Sequence, residues 1–73
     1  MMINEEKESA LEKAISYFGS QAALGRKLGV ERATVNSWYK ERNKIPAHIA
    51  VSIEKITNGT VSREDVRPDL FIK

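Results

Sequence analysis

The sequence predicts an all-α protein, a compact bundle of about five short helices. Apolar residues recur at helical spacing, glycines follow the apolar segments, and no strand-like alternation continues for more than a few residues. The length of 73 residues allows one hydrophobic core, so we expect a single domain over residues 1–73. The chain has no cysteine, which excludes disulfides, thiolate metal sites and cysteine nucleophiles, and it has a single histidine.

Five segments carry the helical pattern, and small or polar residues separate them. The predicted helices span residues 5–18, 21–28, about 32–40, about 46–57 and 62–66. The first helix is favoured by acidic residues near its start, and Gly19 is expected to end it. Pro46 suits the first turn of the fourth helix, while Ser62 and Asp65 resemble a capping box at the fifth. Residues 67–73 are predicted to form an extended tail.

Residues 21–40 meet the requirements of two short helices that cross closely over a tight turn. Gly25 is small enough for the close crossing, and Gly29 can adopt the positive φ that the turn needs. Apolar side chains that can anchor the turn and dock the second helix stand at Leu24, Leu28, Val30, Val35 and Trp38. We therefore interpret residues 21–40 as a helix-turn-helix.

This stretch resembles the helix-turn-helix of the Cro and lambda-repressor superfamily. The resemblance continues through Thr57-Asn58-Gly59 and through residues 65–71, which look like the C-terminal half of YdaS-type and Cro-like prophage regulators. Together these segments cover residues from about 10 to 71. The resemblance implies a five-helix DNA-binding repressor domain that often acts as a dimer on palindromic operators.

The exposed face of the third helix can be derived from its spacing. Each residue turns the helix by about 100°, so one face lies opposite the inward-pointing Val35 and Trp38. The candidate base-contacting residues on or beside this face are Arg32, Ala33, Asn36, Ser37 and Lys40. Asn can bond bidentately to adenine and Arg to guanine, which suits a major groove. Ordinary solvated helix residues are the alternative interpretation.

Positive charge is concentrated in the middle of the chain. Residues 21–44 carry six basic and two acidic side chains, whereas residues 1–20 have a net charge of −2. This asymmetry favours a polyanionic partner. The candidate phosphate-contacting residues are Gln21, Thr34, Arg42, Asn43 and Lys44. For Arg42 and Lys44 the alternative is simple solubility, and Arg26 and Lys27 are omitted because the crossing can point them away from the duplex.

Other distinctive residues point to no enzyme. Glu31 stands where the family usually has a Ser or Thr N-cap, and it could accept a hydrogen bond from cytosine or repel phosphate. Trp38 and Tyr39 could stack on single-stranded nucleic acid, but the inward position of Trp38 favours the core. His48 has no accompanying nucleophile or carboxylate motif. We expect no catalytic site, metal or cofactor.

The sequence therefore predicts a sequence-specific repressor that binds a double-stranded, palindromic operator as a homodimer. The apolar residues 70–72 are a candidate dimer interface, unless Phe71 folds back onto its own core. The alternative function is an antitoxin or protein-interaction module that neutralises a partner such as a toxin. We expect a cytoplasmic protein without a membrane partner, because no apolar run approaches the roughly 20 residues that span a bilayer.

Overall fold

The structure is a computed structural model that describes residues 9–41 and 44–71. These residues contain five α-helices. They are α1 (Ala10–Phe18), α2 (Gln21–Leu28), α3 (Arg32–Lys40), α4 (Ala47–Ile56) and α5 (Arg63–Val66). These residues contain no strand. The predicted all-α fold with about five short helices is confirmed.

α1 begins at Ala10 because the residue before it forms a capping box. The Ser9 hydroxyl accepts a hydrogen bond from the Glu12 N–H at 3.1 Å, and the Glu12 carboxylate accepts one from the Ser9 N–H at 2.9 Å. Ser9 itself has an extended backbone. The prediction of one continuous helix from Glu5 is therefore wrong at Ser9, and residues 5–8 lie outside the described residues.

α2 and α3 have the predicted bounds, and two glycines explain the close turn between them. Gly25 is buried, and a Cβ at this position would lie 2.7 Å from the carbonyl oxygen of Val30. The Val30 N–H donates to the Gly25 carbonyl at 2.9 Å, so the turn packs directly on α2. Gly29 has a φ of 78°, which residues with a Cβ rarely adopt. These glycines allow α3 to fold back against α2.

α4 begins one residue later than predicted. Pro46 is the N-cap, with an extended backbone, and its carbonyl accepts the N–H of Ile49 at 3.1 Å. The helix ends at Ile56, and the buried hydroxyl of the C-cap residue Thr57 donates to the Ile53 carbonyl at 2.7 Å and accepts the Val61 N–H at 3.2 Å. Because the hydroxyl both donates and accepts, this buried polar group is satisfied and holds the α4–α5 connection in place.

α5 is a single helical turn that is fixed at its start. The Ser62 hydroxyl accepts the Asp65 N–H at 3.1 Å, which is the cap that the sequence indicated. Arg63 also donates to Glu54 of α4 at 2.6 Å. The contact between Arg63 and Glu54 attaches α5 to α4.

The chain after α5 turns back instead of extending. In residues 67–71 the N–H groups of Leu70 and Phe71 donate to the Arg67 carbonyl at 3.0 and 3.1 Å. The Arg67 guanidinium donates to the Ile45 carbonyl and to both carboxylate oxygens of Asp69. The expectation of an extended tail is therefore wrong for residues 67–71, because Arg67 closes them into a turn. Residues 72 and 73 lie outside the described residues.

The core lies at the centre of the bundle and receives side chains from every helix. Its buried apolar residues are Ala10, Leu11, Ala14, Leu24, Val35, Trp38, Ile45, Ile49, Ala50, Ile53, Val61 and Val66. Trp38 is only 6% exposed, which confirms its assignment to the core. Phe71 is partly buried against the same cluster, whereas Leu70 is 47% exposed. Phe71 thus folds back onto its own core.

Candidate nucleic-acid interface

The outer face of α3 carries the predicted base-contacting residues in accessible positions. Val35 and Trp38 are buried, which orients the helix so that its opposite face meets solvent. The exposed members of the predicted set are Arg32, Ala33, Ser37 and Lys40. Arg32 is the first residue of the helix and Lys40 the last, so positive charge stands at both ends of this face. We call this surface the α3 face.

Asn36 is half-buried at the edge of the α3 face, where it meets α2. The Gln21 side-chain amide donates to its Oδ1 at 3.4 Å. An amide oxygen has two lone pairs, so Asn36 keeps one acceptor position and both N–H donors for a further partner. Sequence reasoning assigned these residues to different roles, base and phosphate contact, and did not foresee their contact. They are 15 residues apart, and only the helix crossing brings them together.

The structure describes three of the five predicted phosphate-contacting residues. Gln21 is the first residue of α2, where unpaired N–H groups favour an anion, and Thr34 is half-buried on α3. Lys44 is exposed after α3. Arg42 and Asn43 lie outside the described residues. Gln21, Thr34 and Lys44 thus remain as candidates with a defined position.

Lys44 already has an anionic partner in the free protein. Its ammonium lies 2.8 Å from the Glu41 carboxylate, and both side chains are more than half exposed. Hydrogen bonding and charge attraction within the pair lower the pKa of Glu41 and raise that of Lys44. An ion pair so exposed to water is weak, so Lys44 can exchange this carboxylate for another anion.

α2 carries two further basic residues, which are not among the predicted phosphate contacts. Arg26 and Lys27 are both exposed, in the last turn of α2. The Lys27 ammonium lies 5.9 Å from the centroid of the Phe18 ring at the end of α1. Lys27 therefore makes a cation–π contact with α1.

A contact between α1 and α3 adds a residue pair that sequence reasoning missed. The Tyr39 hydroxyl donates to Glu12 at 2.9 Å across a groove of about 350 Å³, which is also lined by Ile15, Ser16 and Gln21. The Ser9 N–H and, to a smaller extent, Tyr39 lower the pKa of Glu12 by hydrogen bonding. The carboxylate in turn raises the pKa of Tyr39. The two residues are 27 positions apart, and no local pattern links them.

The described residues offer little for chemistry of another kind. They contain no group of three or more His, Cys, Asp or Glu side chains arranged to hold a metal ion. None of the helices in this part of the chain has the length and hydrophobicity needed to cross a membrane. Two crossing helices, a glycine turn and an exposed polar face on the second helix define a helix-turn-helix protein.

Comparison with known proteins identifies the family. The family model described as "Bacterial toxin YdaS" matches residues 11–73, and the chain belongs to this family. It is 35% identical over 66 residues to the putative transcriptional regulator YdaS of Escherichia coli strain K12, covering 90% of this chain and 67% of that protein. It is 28% identical over 57 residues to the regulatory protein cro of Pseudomonas phage D3, covering 78% of each.

A solved structure extends the likeness to the fold. The Cro protein from the putative prophage element Xfaso 1 in Xylella fastidiosa strain Ann-1 matches with a TM-score of 0.80 and 37% identity. The match covers 89% of this chain and 98% of that one. The predicted resemblance to Cro-like and YdaS-type prophage regulators is confirmed. These relatives are regulatory proteins, which places the chain with transcriptional regulators and not with enzymes.

Proposed function

We propose that this protein is a sequence-specific repressor that binds double-stranded DNA with α3 in the major groove. The observation that carries the proposal is the α3 face, whose polar side chains are accessible while Val35 and Trp38 anchor the helix from behind. The names of the relatives support a regulatory role. Occupation of an operator by the repressor would block transcription and requires no cofactor.

Asn36 is the proposed principal base reader. Adenine presents an acceptor and a donor side by side in the major groove, and a side-chain amide matches both. The bond from Gln21 leaves one lone pair on Asn36 Oδ1, which is enough for the adenine amino group. Arg32, at the start of the helix, is exposed and suited to guanine. Ala33, Ser37 and Lys40 complete the proposed reading surface.

The proposed phosphate contacts surround the reading surface. Gln21 lies at the start of α2, where the helix dipole favours an anion, and Thr34 lies beside the reading face. Lys44 would exchange the carboxylate of Glu41 for a phosphate. Arg42 and Asn43, which directly precede Lys44 in the sequence, are the remaining proposed phosphate contacts. Such contacts fix the orientation of the protein but carry no base information.

We further propose that the protein acts as a homodimer on a palindromic operator in the cytoplasm. One recognition helix reads only a few base pairs, and pairing places two half-sites about 34 Å apart. Leu70 is the exposed apolar side chain of the C-terminal turn and is the proposed centre of the interface. Sedimentation with and without operator DNA tests the dimer, and a monomeric complex on a site without dyad symmetry would contradict it.

The decisive experiment compares base reading with simple charge attraction. Wild-type protein selects a preferred duplex from a random library, and variants are then titrated against this duplex and a scrambled one. We expect Asn36→Ala to lose about 1–3 kcal/mol on the selected duplex and little on the scrambled one. Lys44→Ala should weaken binding to both. Lys55→Ala is the matched control, since it removes the same charge from exposed α4 surface.

The outcomes separate the two modes of binding. If Asn36→Ala and Lys44→Ala weaken both duplexes in the same ratio, Asn36 does not read bases and the proposed orientation of α3 is wrong. If Lys55→Ala is as damaging as Lys44→Ala, the contribution of Lys44 is only net charge. A library that yields no preferred duplex would contradict sequence-specific binding.

The description of the family favours a second candidate function, that of a toxin. Expression in a bacterial host would reveal growth inhibition, and Asn36→Ala separates its possible targets. Inhibition that disappears with Asn36→Ala would act through DNA. Inhibition that persists would not depend on base reading by Asn36. The antitoxin alternative derived from the sequence remains a prediction, and binding to a co-purified toxin would test it.

A further inference from the structure

The contact between Tyr39 and Glu12 joins α3 to a helix outside the helix-turn-helix. The Tyr39 hydroxyl donates to Glu12 Oε2 at 2.9 Å, and Glu12 Oε1 accepts the Ser9 N–H at 2.9 Å. Both carboxylate oxygens are therefore engaged. Because the capping box fixes Glu12 at the start of α1, the carboxylate is a stationary acceptor for the hydroxyl.

The position of Tyr39 on α3 relates this contact to the proposed base reader. Asn36 and Tyr39 are three residues apart, so they project from the same side of the helix. Gln21 holds Asn36 from α2, and Glu12 holds Tyr39 from α1. One flank of α3 is thus tied at two points separated by one turn. A rotation of α3 about its axis has to stretch both hydrogen bonds.

Tyr39 is poorly suited to contact DNA through its hydroxyl. A phenol has a single proton to donate, and here that proton is directed at Glu12. The remaining lone pair on the oxygen cannot bind a phosphate, which is itself an acceptor. A carboxylate beside the hydroxyl also repels phosphate. The hydroxyl therefore acts on other residues of the protein.

We propose that Glu12 and Tyr39 form a positioning pair, which sets the rotation of α3 and thereby the discrimination of bases by Asn36. This inference rests on the proposed function. It predicts an effect on the ratio of affinities for preferred and scrambled DNA, since a rotated helix still presents its positive charge. Loss of the pair should leave non-specific binding unchanged.

Three variants test the pair in the full-length protein. Tyr39→Phe removes the hydroxyl and keeps the ring. Tyr17→Phe is the matched control, because Tyr17 is also 45% exposed but contacts Phe18 edge-on and lies outside the pair. Ser9→Ala removes the hydroxyl from the cap and keeps the N–H that binds Glu12, so it controls for weakening of α1 alone.

Each variant is titrated against the duplex selected by the wild type and against a scrambled duplex, and each is melted thermally. A hydrogen bond from a neutral hydroxyl to an exposed carboxylate contributes modestly, so we expect Tyr39→Phe to reduce the affinity ratio about two- to fivefold. Tyr17→Phe should leave the ratio unchanged. Ser9→Ala should lower the melting temperature and preserve the ratio. In the free protein, Tyr39→Phe should also shift the side-chain amide resonances of Asn36.

The remaining outcomes overturn the inference. In the first, the wild type discriminates between the two duplexes, but Tyr39→Phe and Tyr17→Phe have the same ratio of affinities for them. The positioning role then fails while the proposed function stands. In the second, Ser9→Ala lowers the affinity ratio as much as Tyr39→Phe does, which would show that the effect comes only from weakening of the fold. A third is unchanged Asn36 amide resonances in Tyr39→Phe. If the wild type selects no preferred duplex, the proposed function and this inference fail together.

Discussion

Replacement of Gly25 by alanine tests the close approach that joins α2 to the turn. The added Cβ would lie 2.7 Å from the Val30 carbonyl oxygen, closer than the 3.0 Å that real Cβ contacts almost never breach. The obstacle is backbone, which cannot rotate away as a side chain can. Overpacking costs about 1–3 kcal/mol, and alanine regains about 1 kcal/mol of helix propensity. Because the clash is severe, we expect a net loss of about 1–2 kcal/mol, or roughly 4–16 °C in melting temperature.

Comparison with Gly29 separates a steric cause from a conformational one. Gly29 has open space around its Cβ position but a φ of 78°. Asparagine tolerates this φ better than alanine does, so Gly29→Asn should be milder than Gly29→Ala. At Gly25 the order should reverse, because asparagine is larger than alanine. Thermal melts of the four variants measure the order of stability of the alanine and asparagine variants at each position. A Gly25→Ala protein as stable as the wild type would refute the close approach.

Three further predictions follow from the core, the capping box and the charge of the motif. Trp38→Ala truncates a buried aromatic and should cost about 3–5 kcal/mol, enough to unfold much of the protein in a thermal melt; a melt like that of the wild type would contradict its place in the core. Glu12 has a lowered pKa, so its contribution to stability is complete above the ordinary carboxyl pKa and is lost as pH falls through the folded value. The melting temperature should therefore fall less on acidification in Glu12→Gln than in the wild type, and an equal fall would exclude Glu12 as a cause. About five phosphate contacts per subunit give a log–log salt slope near −4.5, which Lys44→Ala should make less steep by about 1; an affinity independent of salt would contradict phosphate binding.

The bounds of α2 could be predicted from the sequence because local chemistry determines them. Ser20 caps the Ala23 N–H, and Gly29 takes the positive φ that ends α2. The inward positions of Val35 and Trp38 follow from helical spacing alone. These signals act within a few residues of one another, and a sequence displays them directly.

The errors arose where a cap was overlooked or where distant residues meet. Ser9 and Glu12 form a capping box that the sequence shows, but the acidic residues before Ser9 suggested an earlier helix start. The C-terminal turn depends on Arg67, whose partner Ile45 is 22 residues away. No local pattern indicates such a contact. The outward face of α3 could be predicted, but the residues that hold this face in position could not.

Arg67 also connects the end of the chain to the proposed DNA interface. Its side chain is only 12% exposed, and its guanidinium donates to the carbonyl of Ile45, the residue directly after Lys44. Ile45 is itself fully buried, so the main chain is fixed at this point while Lys44 extends into solvent. The base of Lys44 is thus anchored by the C-terminal turn, and only its flexible side chain has to be ordered when it exchanges Glu41 for a phosphate. A fixed attachment point lowers the entropy cost of that contact, since less of the chain loses freedom on binding.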